Sequence, residues 1–138
     1  MKRYGVALQR TQNVLHRELD QYARTLDLTD NQMSIIAYLS SIPQDKPIYQ
    51  KNIETEFNIR KSTATNILRL MEQKQLIIRT PSKQDSRLKK ISLTPKAHKI
   101  EIKVNSFLDD SEKRIEEILG KEKKQELIKG LSKLEQLL

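Results

Sequence analysis

Cysteine and tryptophan are absent from the sequence, and glycine occurs only three times. Without thiols there is no structural disulfide, no thiolate zinc site and no cysteine redox sensing. So few glycines leave no phosphate-cradling glycine motif. Aromatic residues make up 4% of the 138 residues, too little for stacking single-stranded bases on exposed rings. The longest unbroken apolar run, Ile35–Leu39, is far short of the roughly 20 residues that cross a bilayer. Met1-Lys2-Arg3 would suit the charged start of a signal peptide, but Gln9, Arg10, Thr11, Gln12 and Asn13 interrupt any apolar region. A soluble, cytoplasmic chain with no membrane partner is expected.

Catalytic groupings are also missing. His16 and His98 fall on different predicted helices, a poor start for a metal site without cysteine, so no metal and no cofactor are assigned. Asp109 and Asp110 are adjacent on a helix and point about 100° apart, so they cannot converge as an acid–base pair. Ser62 has no histidine near it in sequence. No catalytic residue is named, and an enzyme is not expected.

What the chain has is positive charge in one place. Between Arg60 and Lys90 stand Arg60, Lys61, Arg69, Lys74, Arg79, Lys83, Arg87, Lys89 and Lys90 against Glu72 and Asp85. Nine minus two is +7, nearly the whole net charge of +8. A charge excess confined to one segment is the footprint of a polyanion-binding face. A hydrophobic content of 36% with 32% charged residues suits long solvated helices in one domain.

Periodicity supplies the frame. Leu8, Leu15, Leu19, Tyr22 and Leu26 share one face of a helix over Val6–Leu26. Thr29-Asp30-Asn31-Gln32 fits a capping box that opens a second helix carrying Met33, Ile36, Leu39 and Ile42. The polar turn Pro43–Pro47 stops it. A short helix over Ile48–Phe57 presents Ile53 and Phe57, and Asn58 suits a left-handed turn position. The next helix, Lys61–Lys74, turns Ala64, Ile67, Leu68 and Met71 inward. Leu76–Thr80 and Leu88–Leu93 read as the strands of a hairpin, with Pro81–Arg87 between them. Thr94-Pro95 is a hydroxyl N-cap followed by proline, a start signal. The helix it opens runs to about Leu119, with Ile100, Val104, Phe107 or Leu108, Ile115, Ile118 and Leu119 on one side. Gly120 ends it, and a last helix carries Leu127, Ile128, Leu131, Leu134, Leu137 and Leu138.

The predicted fold is mainly α: a winged helix-turn-helix with a two-stranded β-wing and N- and C-terminal helices. Within a single domain, residues 29–94 are the expected DNA-binding module, and 1–28 and 95–138 the dimerisation helices. Their apolar stripes have no core of their own, which points to a second copy of the chain.

Helix-turn-helix units place the start of their second helix in the major groove. Here that start is Lys61, Ser62, Thr63, Thr65 and Asn66, with Arg69 one turn on. Asn66 suits a bidentate pair with adenine, Arg69 one with guanine, and threonine a thymine methyl. Ser62 and Thr63 sit where a helix N-terminus favours phosphate. In the wing, Lys83 and Lys89 suit the DNA backbone, and Arg87 the narrow minor groove of A·T-rich DNA. Asp85 would repel DNA unless it pairs with Arg87 or Arg79 and orients them. Asp85 and Arg79 are therefore read as wing-orienting.

Four stretches together carry a resemblance: Leu28-Thr29 with Gln32, Lys61-Ser62-Thr63-Ala64-Thr65, Leu76-Ile77-Ile78-Arg79, and the run from Asp85 through Arg87 to Leu93-Thr94. They resemble the multiple antibiotic resistance regulator (MarR) family, the last matching that family's wing signature of Asp-x-Arg, a spacer, an aliphatic residue and Leu-Thr. The resemblance covers essentially the whole chain. It implies a homodimer on a palindromic double-stranded DNA operator, acting as a transcriptional regulator, here read as a repressor. It also implies release by a small-molecule effector, for which periodicity names no binding residues. Three positions depart from the family pattern. Glu54 replaces a small residue, Gln75 replaces a glycine at the exit of the recognition helix, and Arg60 replaces a capping Ser or Asp.

Two other readings are a non-specific nucleic-acid binder and a winged-helix protein-interaction module. The first needs the charge but not Asn66 and Arg69 in register. The second predicts a face depleted of bases, the reverse of this one.

Overall fold

The computed structural model describes residues 2–138, so Met1 of the Met1-Lys2-Arg3 stretch lies outside the described residues. The elements in chain order are α1 (Tyr4–Thr25), α2 (Asp30–Ser41), α3 (Gln50–Phe57), α4 (Lys61–Gln73), β1 (Ile77–Pro81), β2 (Lys89–Leu93), α5 (Pro95–Leu119) and α6 (Lys121–Leu137). This is the winged helix-turn-helix order read from the sequence.

One compact unit ends at Ile102, and a second runs from Lys103 to Leu138. In the first, α2 packs against α1, α4 and β2, and α3 packs on α4. Met33, Ile35, Ile36, Ile53, Leu68, Met71 and Leu76 are fully buried there. At about 25 cal/mol per Å2, their burial is the main force holding the helix-turn-helix together. Tyr38 meets Phe57 edge to face, with centroids 5.8 Å apart. In the second unit the chain turns at Gly120 (φ 85°), and Lys124 Nζ reaches back to Glu112 Oε2 at 2.8 Å. That bond holds the Lys124 ammonium above its ordinary pKa.

The wing is antiparallel, from Ile77 opposite Leu93 to Pro81 opposite Lys89. The first strand sits one residue later than the expected Leu76–Thr80, and the second begins at Lys89 rather than Leu88, whose carbonyl still accepts the Ser82 N–H at 2.8 Å. Ile48 is not helical. Its carbonyl accepts the Ile91 N–H at 2.8 Å, so the chain before α3 extends the wing's base. On α5, Ile118 departs from the expected face: it is 73% exposed, while Ile115 and Leu119 are half-buried.

Local signals account for most helix ends. The Thr29 hydroxyl accepts the Gln32 N–H (3.2 Å) and Gln32 Oε1 accepts the Thr29 N–H (3.1 Å), so the capping box is complete. Three helices end alike. Asp27 (φ 57°), Asn58 (φ 48°) and Gln75 (φ 60°) are left-handed. The next residue in each case, Leu28, Ile59 or Leu76, donates its N–H five residues back. This is the Schellman closure, which places an apolar residue just past the left-handed one; Leu28 and Leu76 are accordingly buried.

Gln75 is the costliest of the three, since a side chain there pays about 1–2 kcal/mol for the left-handed conformation. Thr94 braces this turn. Its hydroxyl donates to the Gln75 carbonyl (2.7 Å) and accepts the Ala97 N–H that opens α5 (3.1 Å). Gln75→Gly should therefore raise stability by about 1 kcal/mol in urea denaturation, because the Gln75 side chain is exposed and no contact is lost. Thr94→Ala removes a buried cap and should cost about 1–2 kcal/mol in the same measurement.

Candidate nucleic-acid interface

The recognition helix, α4, begins without a side-chain cap: Arg60 is the N-cap residue, and its side chain makes no capping bond. No acid stands in the first turn. The orphan N–H groups and the positive end of the helix dipole therefore face outward uncompensated. Lys61, Ser62, Thr63, Thr65, Asn66 and Arg69 are all exposed, while Ala64, Leu68 and Met71 are buried beneath them. The helix presents one polar face because its other face fills the core.

That face is held by bonds from outside α4 and within it. Gln50, at the start of α3, donates through Nε2 to Thr65 Oγ1 at 2.8 Å and to the Lys61 carbonyl at 3.4 Å. Arg69 Nη2 donates to Asn66 Oδ1 at 2.7 Å. At the far end of the helix, Lys74 Nζ donates to the Asp27 carbonyl (2.9 Å) and Gln32 Oε1 (3.2 Å), and Lys96 Nζ donates to the Lys74 carbonyl (2.8 Å). α4 is thus tied to the α1–α2 corner and to the start of α5.

The wing is fixed at tip and base. At the tip Asp85 takes three bonds from Arg87: the backbone N–H (3.0 Å), Nε (3.1 Å) and Nη2 (3.0 Å). Arg87 is otherwise exposed to solvent. Of the two partners expected for Asp85, it takes Arg87. Arg79 lies elsewhere, with Nε 2.8 Å from Glu72 Oε1 on α4. That approach is off the N–H direction, so it is an ion pair rather than a hydrogen bond. Arg79 therefore braces the base of the wing against α4. A second tie runs from Tyr49 through Ser82 to Gln84, with Tyr49 Oη 3.0 Å from Ser82 Oγ, which donates to Gln84 Oε1 at 2.8 Å. Lys83 and Lys89 are exposed.

Between α3, the start of α4 and the wing lies a cleft of about 470 Å3. Lys51, Lys61, Arg79, Arg87 and Lys89 line it with Thr65 and Gln50, against the single acid Glu54. The structure thus brings Lys61, Thr65, Arg79, Arg87 and Lys89 to one cleft. Asn66, Arg69 and Lys83 do not line it. Gln50, Lys51 and the Tyr49–Ser82 tie were not marked by sequence reasoning. Gln50 and the Tyr49–Ser82 tie act across gaps of 11 to 33 residues, and no local pattern signals such contacts.

The histidines lie elsewhere. His16 Nδ1 pairs with Asp30 Oδ2, and His98 Nδ1 lies 3.1 Å from Glu101 Oε2. Among the described residues no three His, Cys, Asp or Glu side chains come together as a metal site. No described helix is long and apolar enough to cross a membrane.

The Arg87 side-chain bonds, then its backbone N–H, hold the Asp85 carboxyl below the usual carboxylate range. A lowered carboxyl pKa means that the bond is complete above the usual value of about 3.9. It is lost as pH falls through the lowered value. The Arg87 Nε–H should give a protected NMR resonance at neutral pH that disappears only on strong acidification, and Asp85→Ala should lose that protection at every pH.

Comparison with known proteins agrees with the fold. Among curated proteins the sequence has no match. The MarR family profile matches residues 28–89. The crystal structure of the transcription regulator MarR from Oenococcus oeni PSU-1 is 37% identical, covering 97% of this chain and 99% of that one, with a TM-score of 0.87. The S. aureus MepR–DNA complex is 27% identical over 100% of both chains (TM-score 0.90). S. aureus MepR in its DNA-binding conformation is 26% identical over 96% of both (TM-score 0.83). A family of transcription regulators also bears out the expectation that the chain is not an enzyme. With 37% identity over nearly the full length of both chains, and the winged helix-turn-helix in place, this chain belongs to the MarR family.

Proposed function

We propose that this protein is a sequence-specific double-stranded DNA-binding regulator that acts as a homodimer on a palindromic operator in the cytoplasm and represses transcription. The observation that carries the reading is the cationic cleft between the uncapped recognition helix and the wing. In this reading residues 29–94 are the DNA-binding module. Lys61, Ser62 and Thr63 meet phosphate at the helix N-terminus. Thr65, Asn66 and Arg69 face base edges. Arg87 enters the minor groove, and Lys83 and Lys89 follow the backbone. Arg79 and Asp85 set the wing's position, and Gln50 sets that of Thr65.

The dimer would form through residues 1–28 and 95–138. Exposed Val6, Leu8 and Val14 on α1, and Leu127, Leu134 and Leu137 on α6, support this. Apolar side chains on the same helices as so many charges are best accounted for by a second copy that covers them. That S. aureus MepR was crystallised with DNA supports the choice of ligand. Release by a small-molecule effector belongs to the same proposal, with no pocket residues assigned.

Fluorescence anisotropy with the duplex upstream of the protein's own gene, at two salt concentrations and with scrambled duplex as competitor, tests the reading. Competitor-resistant binding with one dimer per site is expected. Equal competition by scrambled DNA at every site tried would leave a non-specific binder. Sedimentation should give a dimer, and a monomer would remove the paired half-site geometry. Lys83→Ala should weaken all duplexes alike and lower the salt slope by about one. An unchanged slope would make Lys83 a solvated tip.

A further inference from the structure

Asn66 and Arg69 stand three residues apart on α4, close enough for their side chains to meet, and they do so at 2.7 Å. A guanidinium only donates hydrogen bonds. The Asn66 atom facing it must therefore be the carbonyl oxygen, and the amide NH2 is turned outward. The acid within reach of Arg69 along the helix would be Glu72, three residues on. Glu72 is engaged by Arg79 from β1. Arg69 is thus tied to a neutral amide and keeps its full charge at the exposed face.

Donor accounting then decides which base edge the two can read. Adenine needs an acceptor for its 6-amino group and a donor for N7, the pattern a free asparagine supplies. Here the acceptor already serves Arg69. A second lone pair remains, as on Gln32 Oε1. Adenine's 6-amino group placed there would share the oxygen with a cationic donor, which makes Asn66 a weaker adenine reader than a free asparagine. Guanine presents two acceptors, O6 and N7, and suits the donors that the pair turns outward. We infer that Asn66 and Arg69 act as one unit, dominated by its donors, that selects guanine at a single base pair of each half-site. Asn66 is the positioning residue that aims the Arg69 guanidinium, not a separate adenine reader.

The inference rests on the proposed sequence-specific DNA binding, and the test separates the two. A randomised duplex library is enriched on wild-type protein, and point variants of the selected duplex are then titrated by anisotropy at fixed salt. Proteins compared are wild type, Asn66→Ala, Asn66→Asp, Arg69→Ala and the double alanine variant. Both positions are exposed, and a thermal melt checks each fold. If wild type enriches no sequence, the DNA-reading proposal itself fails, and this inference with it.

If it enriches one, a guanine is expected that wild type prefers over adenine by on the order of tenfold to a hundredfold. Arg69→Ala should erase that preference. Asn66→Ala should weaken it at the same base pair, and Asn66→Ala should add nothing on top of Arg69→Ala. Asn66→Asp keeps the acceptor for Arg69. It should bind every duplex more weakly yet hold the guanine preference. Three results would overturn the inference: Asn66→Ala losing an adenine preference at a different base pair, additive effects of the two alanines, or Arg69→Ala leaving all base preferences intact.

Discussion

The backbone turn at Gln75 is the constraint on which the proposed DNA-reading face depends. It ends the recognition helix and aims the chain into the wing, so any change in its angle moves α4 and β1 relative to each other. A glutamine in the left-handed region is an expensive way to make such a turn. Four bonds hold it: Gln75 N–H to the Glu72 carbonyl, Leu76 N–H to the Met71 carbonyl, and the Thr94 hydroxyl and Lys96 ammonium on the Gln75 and Lys74 carbonyls. Leu76, fully buried, anchors the far side. The strain is offset because the surrounding groups over-determine the conformation.

The same junction links the proposed reading face to the end of α1, the start of α2 and the start of α5. Lys74 satisfies the Asp27 carbonyl at the left-handed corner after α1 and shares Gln32 with the capping box of α2. Thr94 caps α5 while bracing Gln75. The ends of α1, α2, α4 and α5 therefore share a few side chains. A change in the set of α1 or α5 reaches α4 through these hydrogen bonds as well as through the packing of α2. This is a physical route by which events at the helices proposed to dimerise can alter the proposed DNA face.

What the sequence makes legible is what is encoded locally. Thr29 and Gln32 lie three residues apart and cap each other. Thr94-Pro95 opens α5, Asn58 turns left-handed, and Asp85 closes on Arg87 two residues away. The unusual Gln75 is visible because a glycine is expected there. Asp27 makes the same turn without a signal, since aspartate is ordinary in loops. The contacts that position the site are hidden for a different reason. Gln50 to Thr65, Lys74 to Asp27 and Arg79 to Glu72 join residues that only the folded core brings together. Arg79 shows the limit: Asp85 was the partner expected for it, and the packing of β1 against α4 set it against Glu72 instead.

The pairing of those two acids also shapes the field of the site. Glu72 and Asp85 are the only carboxylates between Arg60 and Lys90, and each sits against a guanidinium, of Arg79 and of Arg87. Neither is left to attract Lys61, Arg69, Lys83 or Lys89. An acid placed freely among those cations would draw them into local pairs and cancel the potential that a polyanion feels. Here the acids serve as braces, one at the base of the wing and one at its tip. The wing gains shape without surrendering the charge excess, which combines a fixed geometry with a strong positive face.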